Sequence, residues 1–401
     1  MSRIDDLIAE HCPGGVPFRQ LANLGHRNAG TSITAAKMKA IQVKAGGQVR
    51  VFAGGQTIAD VAENSIPAKD IIRDPSIIVK SRGHIGFSYY ERPFTHKAEL
   101  WSYTLTDPAI DQKFVYYYLL TKVDELQEVA RATSVKLPQL GIRDTDTLKI
   151  PVPPLEVQRE IVKILDTFTE LEAELEAELE ARKRQYAYYR DSLLSFPEAG
   201  GGVRWVPMGE LGEFVRGNGI QKSDLMNEGT PAIHYGQVHT HYGIWADETK
   251  SFVGDALAPK LRKAHPGDLV IATTSEDDAA VGKAVAWVGN EDTVVSGDAY
   301  IYRHSLDPKY VAYFFQTNDF QSQKKRGITG TKVRRISGDA LSKILIPFPD
   351  RAHQERISSI LDKFDALVND LSAGLPAELN ARRQQYEYYR NKLLTFEEAV
   401  P

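Results

Sequence analysis

The strongest constraint on this chain is that it contains the same unit twice. The segment that begins at Ile150 as Ile-Pro-Val-Pro returns at Ile346 as Ile-Pro-Phe-Pro, at an offset of 196 residues. Both copies continue with a glutamine, an isoleucine and then Leu-Asp-x-Phe at the same offset. Self-similarity at a fixed period indicates a repeated structural unit. The chain therefore has to fold as two copies of one plan.

Each Ile-Pro-x-Pro element precedes a long stretch in which apolar residues recur three and four positions apart between charged residues. Sustained spacing of this kind predicts a helix with a coiled-coil stripe, spanning roughly 60 Å over about forty residues. Two surface helices, each packed on its own domain, are the alternative. Gly374 and Pro376 interrupt the second stretch and predict a kink, because proline lacks a backbone donor.

The parts before each helix mix short β-rich runs, such as residues 76–80 and 267–272, with glycine and Asp-Pro turns. Helical segments follow near residues 114–121 and 310–317. This pattern predicts an α+β domain in each copy. The predicted boundaries are 1–150 and 201–346 for the two domains, with helices over 151–200 and 347–401.

The net charge of −4 hides an uneven distribution along the chain. A negative total argues against nucleic-acid binding only if the charge is spread evenly, and here the first domain is basic while the helices are acidic. The counts of Lys and Arg minus Asp and Glu are −2 for residues 1–13, +5 for 14–150, −5 for 151–202, 0 for 203–346 and −2 for 347–401.

Motifs for several kinds of catalysis are missing. The chain has no Gly-x-x-x-x-Gly-Lys-Ser/Thr loop for ATP, no Gly-x-Ser-x-Gly elbow and no Asn-Pro-Pro-Tyr element of amino-methylating enzymes. Asp350 and Glu355 superficially suggest a metal-nuclease pair. They lie at a helix start, where acidic residues are favoured in any case.

Two further features bear on metal binding and location. His234, His239 and His241 with Asp247 could ligate a metal, but this spacing is more typical of a polar loop. Cys12 is the single cysteine, which excludes an intrachain disulfide and favours a reducing cytoplasm. No apolar run is long enough to span a membrane.

Basic and polar residues gather in loops at corresponding positions of the two domains. In the second domain they flank residues 327–331, where two glycines allow a phosphate to approach the backbone closely. The loop after residues 76–80 is basic, whereas its counterpart after 267–272 is acidic, so the two domains could read different DNA sequences through the same loop. A solvated basic surface is the alternative. The candidate DNA-binding residues are Lys80, Arg82, His84, Lys136, Thr274, Ser275, Lys324, Lys325, Arg326, Lys332, Arg334 and Arg335.

The plan of domain, Pro-x-Pro element, long helix and repetition resembles the specificity subunit of a type I restriction–modification enzyme. The resemblance covers the whole chain. It implies two target recognition domains that each read half of a bipartite site in double-stranded DNA, with the helices paired antiparallel as a spacer. It also implies no catalytic residue in this chain.

The same resemblance implies partners. Two modification subunits that bind S-adenosylmethionine and methylate adenine would dock here, and restriction subunits would bring ATP-driven, magnesium-dependent cleavage. We therefore expect no cofactor in this chain and no membrane partner. The residues assigned to the spacer and to partner docking are Gln158, Leu165, Phe168, Leu175, Tyr186, Tyr189, Gln354, Leu361, Phe364, Tyr386 and Tyr389.

A four-residue unit, Glu-Leu-Glu-Ala, occurs three times in succession over residues 170–181. Similar repeats in a subgroup of the resembled family alter the spacer between half-sites. One unit adds about 6 Å of helix, against 3.4 Å per base pair, which predicts a change of about one to two base pairs. The second helix has no such repeat.

Two other functions stay open at this stage. One is a coiled-coil adaptor that binds no DNA, and the other is a self-sufficient methyltransferase or nuclease with unrecognised motifs. The DNA target itself cannot be read from the sequence, because base recognition depends on loop conformation and DNA shape.

Overall fold

The computed structural model describes residues 3–43, 45–55, 57–134, 136–196 and 202–399. The chain divides into two compact units. The first comprises Met1–Glu174 with Leu379–Pro401, and the second comprises Leu175–Glu378. Each unit thus combines one α+β domain with segments of both repeated helices.

The first unit contains the elements from the N-terminus to the first long helix. That helix, α6, begins in the first unit and continues past its boundary. The elements are α1 (Arg3–His11), β1 (Phe18–Gln20), β2 (Gly25–Ala29), α2 (Ala35–Ile41), β3 (Val49–Phe52), β4 (Ile58–Val61), β5 (Ser76–Lys80), β6 (Gly86–Tyr90), β7 (Phe94–His96), β8 (Trp101–Leu105), α3 (Gln112–Leu120), α4 (Val123–Thr133), α5 (Ile142–Asp146), β9 (Lys149–Pro151) and α6 (Leu155–Leu193).

The main sheet of the first unit has the order β2-β8-β5-β6, with every pair antiparallel. Its central strand β5 contains three consecutive β-branched residues that are fully buried, as a strand covered on both faces requires. Helix α3 packs on this sheet, and Asp111 caps it by accepting from the backbone of Phe114. A smaller sheet, β4-β3-β7, has its own apolar cluster.

The second unit begins within α6 and ends within the second repeated helix. Its elements, with the final helix of the chain, are β10 (Arg204–Pro207), α7 (Met208–Leu211), β11 (Gly212–Arg216), β12 (Thr230–Ile233), α8 (Tyr235–Thr240), β13 (Trp245–Ala246), β14 (Ser251–Val253), β15 (Lys263–Ala264), β16 (Leu269–Ala272), β17 (Thr274–Ser275), β18 (Ala284–Trp287), β19 (Thr293–Val295), β20 (Ala299–His304), α9 (Pro308–Phe314), α10 (Asn318–Lys324), β21 (Ile328–Thr329), β22 (Arg334–Ile336), α11 (Gly338–Ser342), β23 (Leu345–Phe348), α12 (Arg351–Asn369) and α13 (Leu375–Leu393).

The main sheet of the second unit repeats the plan of the first. Its order is β11-β20-β16-β18-β13, and the first four strands correspond to β2-β8-β5-β6. The pairs β1–β9 and β10–β23 also correspond, each joining the start of a domain to the Pro-x-Pro strand at its end. A four-stranded sheet and the small sheet β17-β22-β21 complete this unit. The predicted duplicated α+β fold is confirmed.

The first repeated helix is continuous, whereas the second is broken into α12 and α13. The expected kink at Gly374 and Pro376 is therefore a full interruption. A Cβ at Gly374 would lie 2.4 Å from the carbonyl oxygen of Ala366, so the chain turns back tightly on the end of α12. Pro376 lies in the first turn of α13, where its missing donor is not needed.

The repeated Leu-Asp-x-Phe element fixes each helix to its own domain. Asp166 of α6 accepts from Lys113 Nζ at 2.8 Å and from Tyr117 Oη at 2.6 Å, both residues of α3. Asp362 of α12 accepts from Lys309 and Tyr313 of α9 at the same two distances. All three residue types recur 196 positions apart, so each helix leaves its domain at the same point.

Candidate nucleic-acid interface

In the first unit, the loop after β5 meets the segment that follows α4. The backbone N–H of Leu140 donates to Ser81 O at 2.9 Å, and that of Gly83 donates to Pro138 O at 2.9 Å. Gly83 has a positive φ of 74°, a conformation that glycine adopts without strain. The candidates Arg82, His84 and Lys136 are exposed on these two segments, and Lys80 is half-buried at the end of β5.

The second unit joins the corresponding segments as the sheet β17-β22-β21. Thr274 pairs with Arg335 and Ser275 with Arg334, while Ile336 N donates to Thr273 O. Arg334 forms an ion pair of 2.8 Å with Asp278, so its charge is partly compensated. Arg335 is exposed, as are Lys325, Arg326 and Lys332 in the adjoining turns.

The face formed by these two segments is called here the loop face of each unit. It contains Lys80–His84 and Lys136–Leu140 in the first unit, and Thr273–Asp278 and Lys325–Ile336 in the second. The structure thus brings together candidate residues that are about fifty or sixty positions apart in sequence. That they contact DNA stays a prediction.

Lys324 is the exception among the candidates. Only 1% of this residue is exposed, and its ammonium donates to Ala279 O and Val281 O, both at 2.7 Å. A side chain enclosed in this way cannot reach a phosphate, so the assignment of Lys324 as a DNA contact is corrected. The sequence suggested otherwise because Lys324 lies in a basic run with Lys325 and Arg326, whose side chains are exposed.

Burial lowers the pKa of Lys324 to about 8, and Asp277 and Asp278 oppose this shift. Between that value and the ordinary 10.5, the unfolded chain binds a proton that the folded protein does not. Raising the pH through this window therefore stabilises the folded state. Relative to Lys324→Gln, we expect the wild-type free energy of unfolding to rise by about 2 kcal/mol from about pH 7 to about pH 9.5.

Urea unfolding at the two pH values, followed by tryptophan fluorescence, measures this difference. The second unit contributes Trp205, Trp245 and Trp287 to the signal. Lys260→Gln is the matched control, because it removes an exposed lysine elsewhere in the same unit and leaves Lys324 and its charged neighbours unchanged. A Lys324→Gln difference that stays constant with pH contradicts the expectation.

The helix residues assigned to the spacer and to partner docking fall into two groups, one buried against its own domain and one packed between helices. Gln158 and Gln354 are buried, as are Leu165 and Leu361. Gln158 accepts from Asp111 N at 2.8 Å, and Gln354 accepts from the equivalent Asp307 N at 2.8 Å. These glutamines join each helix start to its own domain, and their burial removes all four residues from a partner-docking surface.

The aromatic members pack helix against helix within each unit. In the first unit, Phe168 of α6 stacks on Tyr389 of α13 with ring centroids 5.6 Å apart, and Tyr386 lies beside it. Glu172 lies four residues after Phe168 on α6 and pairs with Arg383, which lies six residues before Tyr389 on α13, so these segments run antiparallel. In the second unit, Tyr189 of α6 stacks on Phe364 of α12 at 5.3 Å, and Tyr186 donates to Asp365. Leu175 is half-buried.

The residues considered for a metal-nuclease pair and for a histidine metal site have structural roles in their own segments. Asp350 caps α12 by accepting from His353 N, and Glu355 pairs with Arg351 on that helix. His239 donates from Nε2 to Thr274 O at 3.0 Å and so supports β17. Among the described residues no group of three or more His, Cys, Asp or Glu could hold a metal, and no helix is long and apolar enough to cross a membrane.

Sequence comparison shows which known proteins share this arrangement. The family described as "Type I restriction modification DNA specificity domain" matches residues 17–181 and again residues 202–381. The chain belongs to the type I restriction–modification specificity subunits. Two matches, one for each repeat, agree with the duplicated fold.

The specificity subunit of the type I restriction enzyme EcoR124I/EcoR124II from Escherichia coli is 33% identical over 71% of this chain and 70% of its own length. A putative specificity subunit from Haemophilus influenzae is 29% identical over 72% of this chain and 73% of its own length. Specificity subunits are the non-catalytic, DNA-recognising components of type I enzymes. Neither the adaptor nor the self-sufficient enzyme is favoured any longer.

Solved structures show the same fold. The S subunit from M. genitalium superposes with a TM-score of 0.56 and 16% identity, covering 95% of this chain and 96% of that one. A chain from the structure described as "Structural basis underlying complex assembly and conformational transition of the type I R-M system" gives a TM-score of 0.61 and 17% identity, covering 96% and 98%.

Proposed function

We propose that each unit of this specificity subunit reads one half of a bipartite DNA site through its loop face. The observation that carries this proposal is that both units join the same two segments by an equivalent backbone hydrogen bond, Leu140 N to Ser81 O and Ile336 N to Thr273 O. The side chains on these equivalent frames differ, because the loop is basic in the first unit and acidic in the second. The same backbone arrangement with different side chains suits the recognition of two different half-sites.

The charges define what each face could read. Exposed lysines and arginines neutralise phosphates and set the register on DNA without selecting a sequence. Asp277 and Asp278 repel phosphate, but a carboxylate accepts a hydrogen bond from cytosine N4 in the major groove. The second unit therefore combines phosphate-binding cations with a carboxylate loop suited to base recognition.

The test uses this subunit in complex with its modification subunits. The complex selects from a library of random double-stranded DNA, and the bound fraction is sequenced. We expect two short conserved half-sites separated by a spacer of constant length. A single undivided motif, or no motif, contradicts the proposal.

The repeated helices are proposed to dock two modification subunits, which would supply S-adenosylmethionine and adenine methylation, while restriction subunits would use ATP and Mg²⁺. Support comes from exposed tyrosines at matching helix positions, since 69% of Tyr188 and 62% of Tyr388 are accessible. Tyr388 lies in the first unit and Tyr188 in the second. Equivalent aromatic positions suit two copies of one partner.

Tyr388→Ala should therefore weaken the docking of one modification subunit roughly thirtyfold and leave the other bound, because a central interface tyrosine contributes about 2 kcal/mol or more. Native mass spectrometry of the complex, titrated with modification subunit, should show the loss of one copy. Tyr188→Ala should give the same stoichiometry, and the double variant should lose both copies. Full occupancy in the double variant places docking elsewhere.

A further inference from the structure

The acidic loop of the second unit, residues 276–281, has a defined backbone conformation. Val281 N donates to Asp277 O at 3.1 Å, which closes a turn, and Ala279 N donates to Asp277 Oδ1 at 2.9 Å. Val281 is fully buried at the end of the turn, whereas Asp277 and Asp278 are exposed. The turn thus anchors an apolar residue and presents two carboxylates, of which Asp278 pairs with Arg334.

Lys324 holds this loop from the end of α10. Its ammonium donates to Ala279 O and Val281 O, so it joins the helix to both sides of the turn. Enclosing an ammonium in protein costs free energy unless its hydrogen bonds are satisfied. Two carbonyl acceptors at 2.7 Å satisfy two of its three donors, and Asp277 and Asp278 provide a favourable field.

The first unit has a counterpart in Gln127 of α4. Gln127 Nε2 donates to Gly83 O at 3.1 Å, and its Oε1 accepts from Ile85 N at 2.9 Å. Gly83 and Ile85 precede Ala279 and Val281 by 196 residues, although the second loop is four residues longer, because Ser81 precedes Thr273 by only 192. Gln127 precedes Lys324 by 197 residues, so a side chain of the corresponding helix holds each loop just before its second strand. Ile85 is fully buried, as Val281 is.

The two holding side chains demand different backbone conformations. An amide has both a donor and an acceptor, so Gln127 binds one carbonyl and one N–H of its loop. An ammonium has only donors, so Lys324 requires two carbonyls. The N–H of Val281 is accordingly directed into the turn with Asp277, and its carbonyl faces the lysine.

We propose that Gln127 and Lys324 are positioning residues that determine specificity, each by setting the loop conformation with which its own unit reads a half-site. Neither residue touches DNA. The inference rests on the proposed function of the loop face and names the residues that shape it. It follows that substitution of one of them lowers base discrimination at one half-site and leaves the other half-site unchanged.

The experiment applies the random-DNA selection to complexes that carry Lys324→Met or Gln127→Leu. Both replacements introduce an apolar side chain of similar length, which removes the hydrogen bonds to the loop. Each should lower base discrimination at one half-site roughly 5- to 150-fold per affected position, which corresponds to the usual cost of a mismatched base pair. The two variants should affect opposite half-sites, and the spacer should stay constant.

Three further variants separate positioning from stability and from phosphate binding. Lys324→Gln retains an N–H donor group and should lose less discrimination than Lys324→Met. It also covers the case in which the methionine variant does not fold. Val294→Ala destabilises the second unit in a separate apolar cluster and should preserve both half-sites. Lys325→Met should weaken binding to all sequences equally, as loss of a phosphate contact does.

The outcomes are distinct. Three results overturn the positioning role: Lys324→Met or Gln127→Leu lowers discrimination at both half-sites, neither variant lowers it at all, or Val294→Ala lowers it equally. In each of these cases the bipartite motif selected by the wild-type complex still upholds the proposed function. If the wild-type complex itself selects no bipartite motif, the proposed function and this inference both fail.

Discussion

Deleting Glu174–Ala177 should shorten the spacer between the two half-sites by one or two base pairs and leave both half-site sequences unchanged. These four residues are one Glu-Leu-Glu-Ala unit in the middle of α6, which is continuous from Leu155 to Leu193. Removing four residues shortens a helix by about 6 Å and rotates its ends by about 40° beyond a full turn. One base pair of DNA rises 3.4 Å and rotates by about 35°. A DNA spacer that is one or two base pairs shorter therefore corresponds to the shortened and rotated helix.

Mapping of methylated adenines across the genome of a host that expresses the variant measures the spacing directly. Insertion of one additional Glu-Leu-Glu-Ala unit should lengthen the spacer by the same amount. Leu175→Ala changes the repeat without changing its length and should leave the spacing as it is. An unchanged methylated motif after the deletion would refute the role of α6 as a ruler.

Neutralising Lys325, Arg326 and Lys332 together as glutamines should weaken DNA binding several-hundredfold at about 0.1 M salt, because each phosphate contact releases condensed counterions. The slope of log affinity against log salt should become less steep by about 2.7, or about 0.9 per contact. All three residues are exposed on the loop face of the second unit. The loss should be nearly the same for specific and unrelated DNA, since phosphate contacts carry no sequence information.

Fluorescence anisotropy of the complex with labelled duplex DNA over a range of salt concentrations gives both quantities. The charge-matched control neutralises Lys222, Lys250 and Lys260, which are exposed on other segments of the same unit. Its salt slope should match that of the wild-type complex. A triple loop-face variant with an unaltered slope shows that these cations do not bind phosphate.

Local sequence patterns were sufficient for the architecture. The offset of 196 residues predicted two equivalent domains, and the apolar spacing after each Pro-x-Pro element predicted the helices. Both features depend on the order of neighbouring residues, which is directly visible in a sequence. The break between α12 and α13 was foreseen only as a kink, because Gly374 reveals how tightly the chain turns only when its contacts are known.

The candidate site was predicted less completely, and the reason is burial. Lys324 and Lys325 are adjacent and have the same side chain, yet one is enclosed and the other is exposed. No sequence pattern around Gln127 indicated a role for this residue. Its match to Lys324 becomes visible only when the loops of the two units are compared through the hydrogen bonds they receive.

The sequence by itself determined that this protein is a duplicated specificity subunit with two α+β domains, two repeated helices and no recognisable catalytic motif. Repetition and periodicity carry that information because they are properties of residue order. The tertiary structure alone decided which basic side chains reach the surface, which polar side chains hold the loops, and how segments of both helices combine with each domain. Those features depend on contacts between residues far apart in the chain, where burial and hydrogen-bond geometry outweigh residue type.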